Sequence, residues 1–239
     1  MSGQTPAANV PTPAEQRTIV GLLERALPGC AGETRQFLAD TAQVRTVRSE
    51  DKVFRQGGPV PLTLIIRGYG AFRRTTIDGQ QIATGVAAPG YLLGFTSISS
   101  GVSSVDLVAL TDCDVAVWAG PEIRGLAATD PEFALEVIGQ LGNFLNVLTE
   151  KVDGFLHQNA RRRVVRILAR HRDLFFEDPP VLSRAHLPSL VGTSREMTGR
   201  VLRELEREGT VARVGRGGLR LLRPDRLEAD AAPLLAEGR

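Results

Sequence analysis

The sequence predicts an α+β protein in three parts: an N-terminal antiparallel β-roll, a long helix, and a C-terminal helix-turn-helix with a hairpin behind it. Three observations predict this. Gly57, Gly68, Gly79, Gly90 and Gly101 recur every eleven residues among short β-rich runs. Apolar residues from Ile138 to Phe155 are spaced three and four apart. Beyond them, Gly192 separates two short helical patterns, and the tip Gly215-Arg216-Gly217-Gly218 lies between two β-rich runs.

The elements follow in order. Ile19 to Leu27 reads as a short amphipathic helix ending near Pro28-Gly29, and Glu33 to Gln43 as a second. Strands are expected at Gln43–Val47, Leu62–Ile66, Ala71–Thr75, Ile82–Val86, Val105–Leu110 and Asp114–Trp118. Turn signals such as Gly57-Gly58-Pro59, Asp78-Gly79 and Pro89-Gly90 separate them. Asp130-Pro131-Glu132 is a helix start, with an N-cap acid, Pro at the first position and an acid in the first turn. From Pro131 to His157 that helix would span about 40 Å. Its seam is Ile138, Leu141, Leu145, Leu148, Val152 and Phe155. Either the β-roll or a second copy of the chain could cover it, and the coiled-coil spacing favours a homodimer.

Arg163 to His171 is a further helix, then Arg184 to Val191, a turn at Gly192, and a helix from Arg195. Thr193 or Ser194 caps that last helix, and Thr193-x-x-Glu196 matches a capping box. At 100° per residue, Thr198, Val201, Leu202 and Leu205 fall in one stripe between about 240° and 340°. Glu196, Arg200, Arg203 and Arg207 fall opposite, and Arg195 stands at the N-terminal end. A helix that reads DNA needs this division, because arginine can bond guanine bidentately and Glu can accept from cytosine. The competing reading is a solvated helix whose Glu pairs with its own arginines. Val211–Val214 and Leu219–Leu222 flank the glycine tip. A helix-turn-helix followed by such a hairpin is a winged helix, with Arg216 placed to touch phosphate.

Composition sets limits on function. The chain has 239 residues, 42% hydrophobic and 23% charged, which suits a packed core. The net charge is only +2, yet residues 161–223 hold 15 Arg and 7 acids, leaving an acidic remainder. Cys30 and Cys113 are too few for an iron–sulfur cluster or a four-thiolate zinc site. The histidines His157, His171 and His186 all lie beyond the roll. A His-ligated metal enzyme or a Ser-His-Asp site there is therefore not expected. No apolar run reaches membrane-spanning length and no secretory signal opens the sequence, so the expected location is the cytoplasm, with no membrane partner.

Over residues 44–222 the chain resembles the Crp/Fnr family of bacterial transcription regulators. In the roll the resemblance rests on Val53-Phe54-Arg55-Gln56-Gly57, Leu64-Ile65-Ile66-Arg67-Gly68 and Pro89-Gly90-Tyr91-Leu92-Leu93-Gly94. On the long helix it rests on Thr149-Glu150-Lys151-Val152, and most specifically further on at Val191-Gly192-Thr193-Ser194-Arg195-Glu196 with Arg200. The resemblance implies a homodimer on double-stranded DNA, with Arg195, Glu196 and Arg200 reading TGTGA-type half-sites of an inverted repeat. Thr193, Ser194, Arg203 and Arg216 are phosphate candidates. RNA polymerase is an expected further partner, and no catalytic activity is expected.

The departures bear on the effector. Where the family's cyclic-nucleotide cassette places a Glu after Gly94, this chain has Phe95, and where it places an Arg-Ser pair, Ser103-Ser104. Leu148 and Thr149 match the two polar residues that meet the purine. Loss of the phosphate-binding Arg argues against cyclic AMP in the usual mode. No His or Cys stands where haem-binding members would suggest one, so no cofactor or metal is expected. The effector is either an unknown small molecule near Gly94, Phe95 and Leu148, or absent. The expected boundaries are a disordered tail (1–15), a cyclic-nucleotide-binding-like sensor roll (16–129), a dimerisation helix (130–158), a winged-helix DNA-binding domain (159–225) and a C-terminal tail (226–239). The competing class is a protein-interaction module of the same architecture without sequence-specific DNA binding.

Overall fold

The computed structural model describes residues 9–79 and 81–232, with the backbone alone at 155–157. It resolves into two compact units, 1–147 and 148–239.

The first unit begins with α1 (Pro13–Ala26) and α2 (Gly32–Thr41). Thr12 and Glu15 form a capping box, with the Glu15 carboxylate accepting from the Thr12 N–H at 2.7 Å. Asn9 bridges Val44 in both directions. Residues 9–15 are thus part of the fold, which corrects the expected tail; residues 1–8 lie outside the described residues. The apolar periodicity starts only at Ile19, so the polar first turn carried no signal beyond its cap.

Among the described residues eight strands follow: β1 (Gln43–Val47), β2 (Lys52–Phe54), β3 (Leu62–Arg67), β4 (Gly70–Thr75), β5 (Gln81–Ala87), β6 (Leu92–Leu93), β7 (Asp106–Ala109) and β8 (Cys113–Trp118). They make two antiparallel four-stranded sheets, ordered β1-β8-β3-β6 and β2-β7-β4-β5. All five evenly spaced glycines have positive φ, between 67° and 87°, a conformation that L side chains adopt with strain. The six expected strands are present. The short strands β2 and β6 carry no period of their own and exist through their partners.

β8 shows how the core divides. Cys113, Val115 and Val117 face the roll interior with Ile65, Leu93 and Leu107. Ala116 and Trp118 point the other way, into a helix layer with Leu23, Leu38 and Phe133. The strand is therefore buried on both faces, unlike a half-wet antiparallel strand. The helix layer adds α3 (Gly120–Thr129) and the start of α4 (Pro131–His157). Asp130 caps α4, accepting from the Phe133 N–H at 3.0 Å and from the Thr34 hydroxyl at 2.5 Å. Both bonds hold its carboxyl below the usual carboxylate range. Phe133 and Val137 are buried with the first unit. The boundary between the two units consequently falls inside α4, between 147 and 148, whereas the sequence sets the helix apart as a segment of its own, 130–158.

The second unit contains α5 (Ala160–Arg170), α6 (Arg172–Phe176), α7 (Leu187–Val191), α8 (Arg195–Arg207), the hairpin β9 (Val211–Val214) and β10 (Gly218–Leu221), and α9 (Pro224–Ala231). Val164, Leu168, Phe175, Leu187, Val201 and Leu205 are among its buried side chains. Full burial of each such side chain contributes about 1.5–3 kcal/mol. α9 corrects the expected tail from 226; residues 233–239 lie outside the described residues. It buries only Leu227. Ion pairs tie it down: Arg161 with Asp230 (3.0 Å), Arg226 with Glu208 (3.0 Å) and Arg172 with Glu228 (2.9 Å). Such pairing leaves no hydrophobic period to read.

Candidate nucleic-acid interface

The interface is built on how α7 ends and α8 begins. Gly192 closes α7 in the left-handed conformation, φ 68° and ψ 48°. The Thr193 N–H then donates to the Pro188 carbonyl at 3.1 Å, so Thr193 finishes α7. The next residue, Ser194, is extended and caps α8, its hydroxyl accepting from the Met197 N–H at 3.1 Å. The capping box expected at Thr193 and Glu196 does not form. Glu196 is released from capping and stands exposed.

Thr198, Val201, Leu202 and Leu205 are all buried, as the helical stripe requires. Arg195, Glu196, Arg200, Arg203 and Arg207 are exposed. Among the described residues, none of Arg195, Glu196, Arg200 and Arg203 makes an ion pair. Glu196 is thus not spent on its neighbouring arginines. The first two turns of α8 present two cations and one anion to solvent, with donors and an acceptor available to an incoming partner.

The hairpin pairs Val214 with Gly218, leaving Gly215, Arg216 and Gly217 as its tip, and Arg216 is exposed. Behind it lies a residue that the sequence reading passed over. Arg184 donates to carbonyls of the tip. The sequence predicts a helix over 184–191, but α7 begins only at Leu187, which leaves Arg184 in the turn before it, and only folding brings it to the hairpin.

The effector candidates are distributed as follows. Phe95 opens a 3-10 turn (Phe95–Ile98) and packs against the helix-layer core. Gly94 takes φ 89°, and a side chain there would strike the Pro61 carbonyl. The buried Ser103 hydroxyl donates to the Val105 carbonyl at 2.6 Å and accepts from its N–H at 3.2 Å. It is committed to its own turn, while Ser104 is exposed. Leu148 and Thr149 belong to the second unit and are exposed. Among the described residues, no group of three His, Cys, Asp or Glu could hold a metal ion. None of their helices is long and apolar enough to cross a membrane.

Along α4, Ile138, Leu141, Leu145, Leu148 and Val152 are between 39% and 63% exposed. The side chain of Phe155, the last seam position, lies outside the described residues. Leu135 and Phe144 widen the same apolar face, at 67% and 59% exposure.

Comparison with known proteins agrees with this arrangement. Residues 44–130 match the cyclic nucleotide-binding domain family and residues 162–230 the Crp-like helix-turn-helix domain family. The CRP-like protein Clp of Xanthomonas campestris pv. campestris (strain B100) is 31% identical over 196 residues, 75% of this chain and 84% of that protein. Among solved structures, the c-di-GMP responsive global regulator CLP of Xanthomonas campestris superposes with a TM-score of 0.67 at 27% identity, over 80% of this chain and 99% of the other. FixK2 from Bradyrhizobium japonicum shares the fold at 18% identity, with a TM-score of 0.70 over 81% of this chain and 98% of that one.

Proposed function

The chain belongs to the Crp/Fnr family and is a Crp-like DNA-binding transcription regulator; from that membership we propose that it acts as a homodimer on an inverted repeat with TGTGA-like half-sites. The observation that carries this is the unpaired, exposed trio Arg195, Glu196 and Arg200 on the first turns of α8. Arg195 and Arg200 would bond guanine edges, and Glu196 would accept from a cytosine amine. Thr193, Ser194, Arg203 and Arg216 would meet phosphates and fix the register.

The apolar face of α4 supports the dimer. At least five seam side chains in water leave a contiguous apolar strip, and a second copy would bury it through the same heptad spacing. A two-fold dimer in turn matches half-sites about one helical turn apart.

Cyclic AMP in the usual mode is not part of this reading. Phe95 occupies the position of the ribose-binding acid and packs, half-buried, against the helix-layer core, and Ser103 is held by its own turn. The chain would act without a cofactor and without catalysis, with RNA polymerase as a further partner. The matched Xanthomonas regulator is c-di-GMP responsive. Thermal shift with cyclic AMP, cyclic di-GMP and a metabolite panel separates an effector-driven protein from one governed by abundance: a saturable shift identifies the effector.

Selection of sites from random duplex DNA by the full chain, at moderate salt, tests the central reading. Enrichment of a TGTGA-like palindrome is expected. Arg200→Ala should cost about 1–3 kcal/mol and relax preference at one position. Weak binding with no enriched sequence would favour the protein-interaction module instead.

A further inference from the structure

The wing is a two-stranded hairpin in the second unit. Two strands of four residues form it, and an isolated hairpin of that size is marginal in water. Its tip is nevertheless tied to the body at three consecutive carbonyls, all by one residue. The Arg184 guanidinium donates through Nη2 to the Gly215 carbonyl at 3.1 Å and to the Arg216 carbonyl at 2.8 Å. The backbone N–H of Arg184 donates to the Gly217 carbonyl at 2.9 Å. The contact is also close in space: a Cβ on Gly217 would lie 3.3 Å from the Cβ of Ser183. Ser183 is itself held, its N–H donating to Nδ1 of His186 at 2.9 Å. The anchor is thus part of a braced turn.

We infer that Arg184 is a positioning residue for DNA binding: by gripping the carbonyls of the wing tip it sets Arg216 against the phosphate backbone. The inference rests on the DNA-binding reading above and adds a residue to it. Peptide planarity gives the grip a direction. Carbonyls drawn toward Arg184 send the N–H groups of Arg216 and Gly217 to the opposite side. The tip then presents backbone donors away from its anchor, on the same residues as the exposed Arg216, a combination suited to an anion. Bonds from a charged donor are stronger than neutral ones, so one side chain suffices to order the tip. Among the described residues neither Arg184 nor Arg216 pairs with a carboxylate, so the charge at the wing tip is not neutralised, while Arg213 on β9 pairs with Glu206.

The test uses the full chain and the duplex that it enriches, with affinity followed across salt concentration. Arg216→Ala should weaken binding and lower the salt slope by about one. Arg184→Ala should reproduce most of that loss. The double variant should bind no more weakly than the weaker single variant, and base preference should be the same in all of them. Additive losses would show Arg184 acting independently of the wing and overturn the inference, as would unchanged affinity in Arg184→Ala. Should Arg184→Ala lose its cooperative melt, Arg184→Lys takes its place. It keeps the charge and the backbone bond, but its ammonium ends one bond short of the Nη2 position that holds both carbonyls. The same non-additivity with Arg216→Ala is then expected at smaller size, and native affinity and slope in Arg184→Lys would overturn the inference. Failure of the unaltered chain to enrich any site is a separate outcome, which overturns the DNA-binding reading together with what rests on it.

Discussion

The indole N–H of Trp118 donates to the Leu38 carbonyl at 2.8 Å, joining β8 to α2 across the helix layer in full burial. Trp118→Phe removes the donor and part of the ring volume while leaving the site apolar. Unfolding in urea should show a loss of about 1–3 kcal/mol. A midpoint equal to the native one would mean that the helix layer does not depend on this link.

Burial, with Arg170 and Lys151 nearby, lowers the His171 imidazole to about 4. An unfolded imidazole titrates near 6.5, so the unfolded chain takes the proton first. The resulting stability is complete above about pH 6.5 and is lost as pH falls toward about 4. Asp106 behaves differently. Burial raises its carboxyl, but the Lys52 ammonium at 2.6 Å and the Gln56 N–H at 2.8 Å outweigh burial and lower it. Its contribution is present above the ordinary carboxylate value near 3.9 and is lost only at lower pH. The melting temperature should therefore drop between pH 7 and 4.5, and His171→Asn should flatten that drop. Identical slopes for the two proteins would remove His171 as the cause.

Gly199 lies between the buried stripe and the exposed arginines of α8. A Cβ there meets only Nη1 of Arg203, at 3.7 Å, which is ordinary contact. Gly199→Ala should stabilise the fold by about 0.5–1 kcal/mol through helix propensity. It should also weaken specific DNA binding, because the added methyl stands where α8 would approach the groove. Stability raised with affinity intact would show that the glycine is not kept for close approach.

Leu145, exposed on the α4 seam, is a surface substitution in a single chain and a buried charge in a dimer. Leu145→Asp should leave the melt of each chain cooperative, convert the protein to monomer in analytical ultracentrifugation, and weaken binding to the palindrome more than to a single half-site. A dimer of native affinity would place the interface elsewhere.

The sequence by itself determined what depends on neighbours a few residues apart. The five glycines mark five left-handed turns, and the stripe Thr198, Val201, Leu202 and Leu205 is buried as its spacing requires. Local backbone sterics and helical periodicity decide both, so both can be read along the chain. Tertiary structure alone decided the rest. β2 and β6 are strands because β7 and β3 pair with them, and β8 is buried twice because helices cover its outer face. Ser194 caps α8 because Thr193 is used to close α7, and α9 is held by ion pairs to residues far away in sequence. Arg184 reaches the wing across roughly thirty residues of chain, and no local period encodes such a contact. Hydrogen bonds and ion pairs between distant segments have no repeat length, and the partner of each is fixed only when the chain has folded.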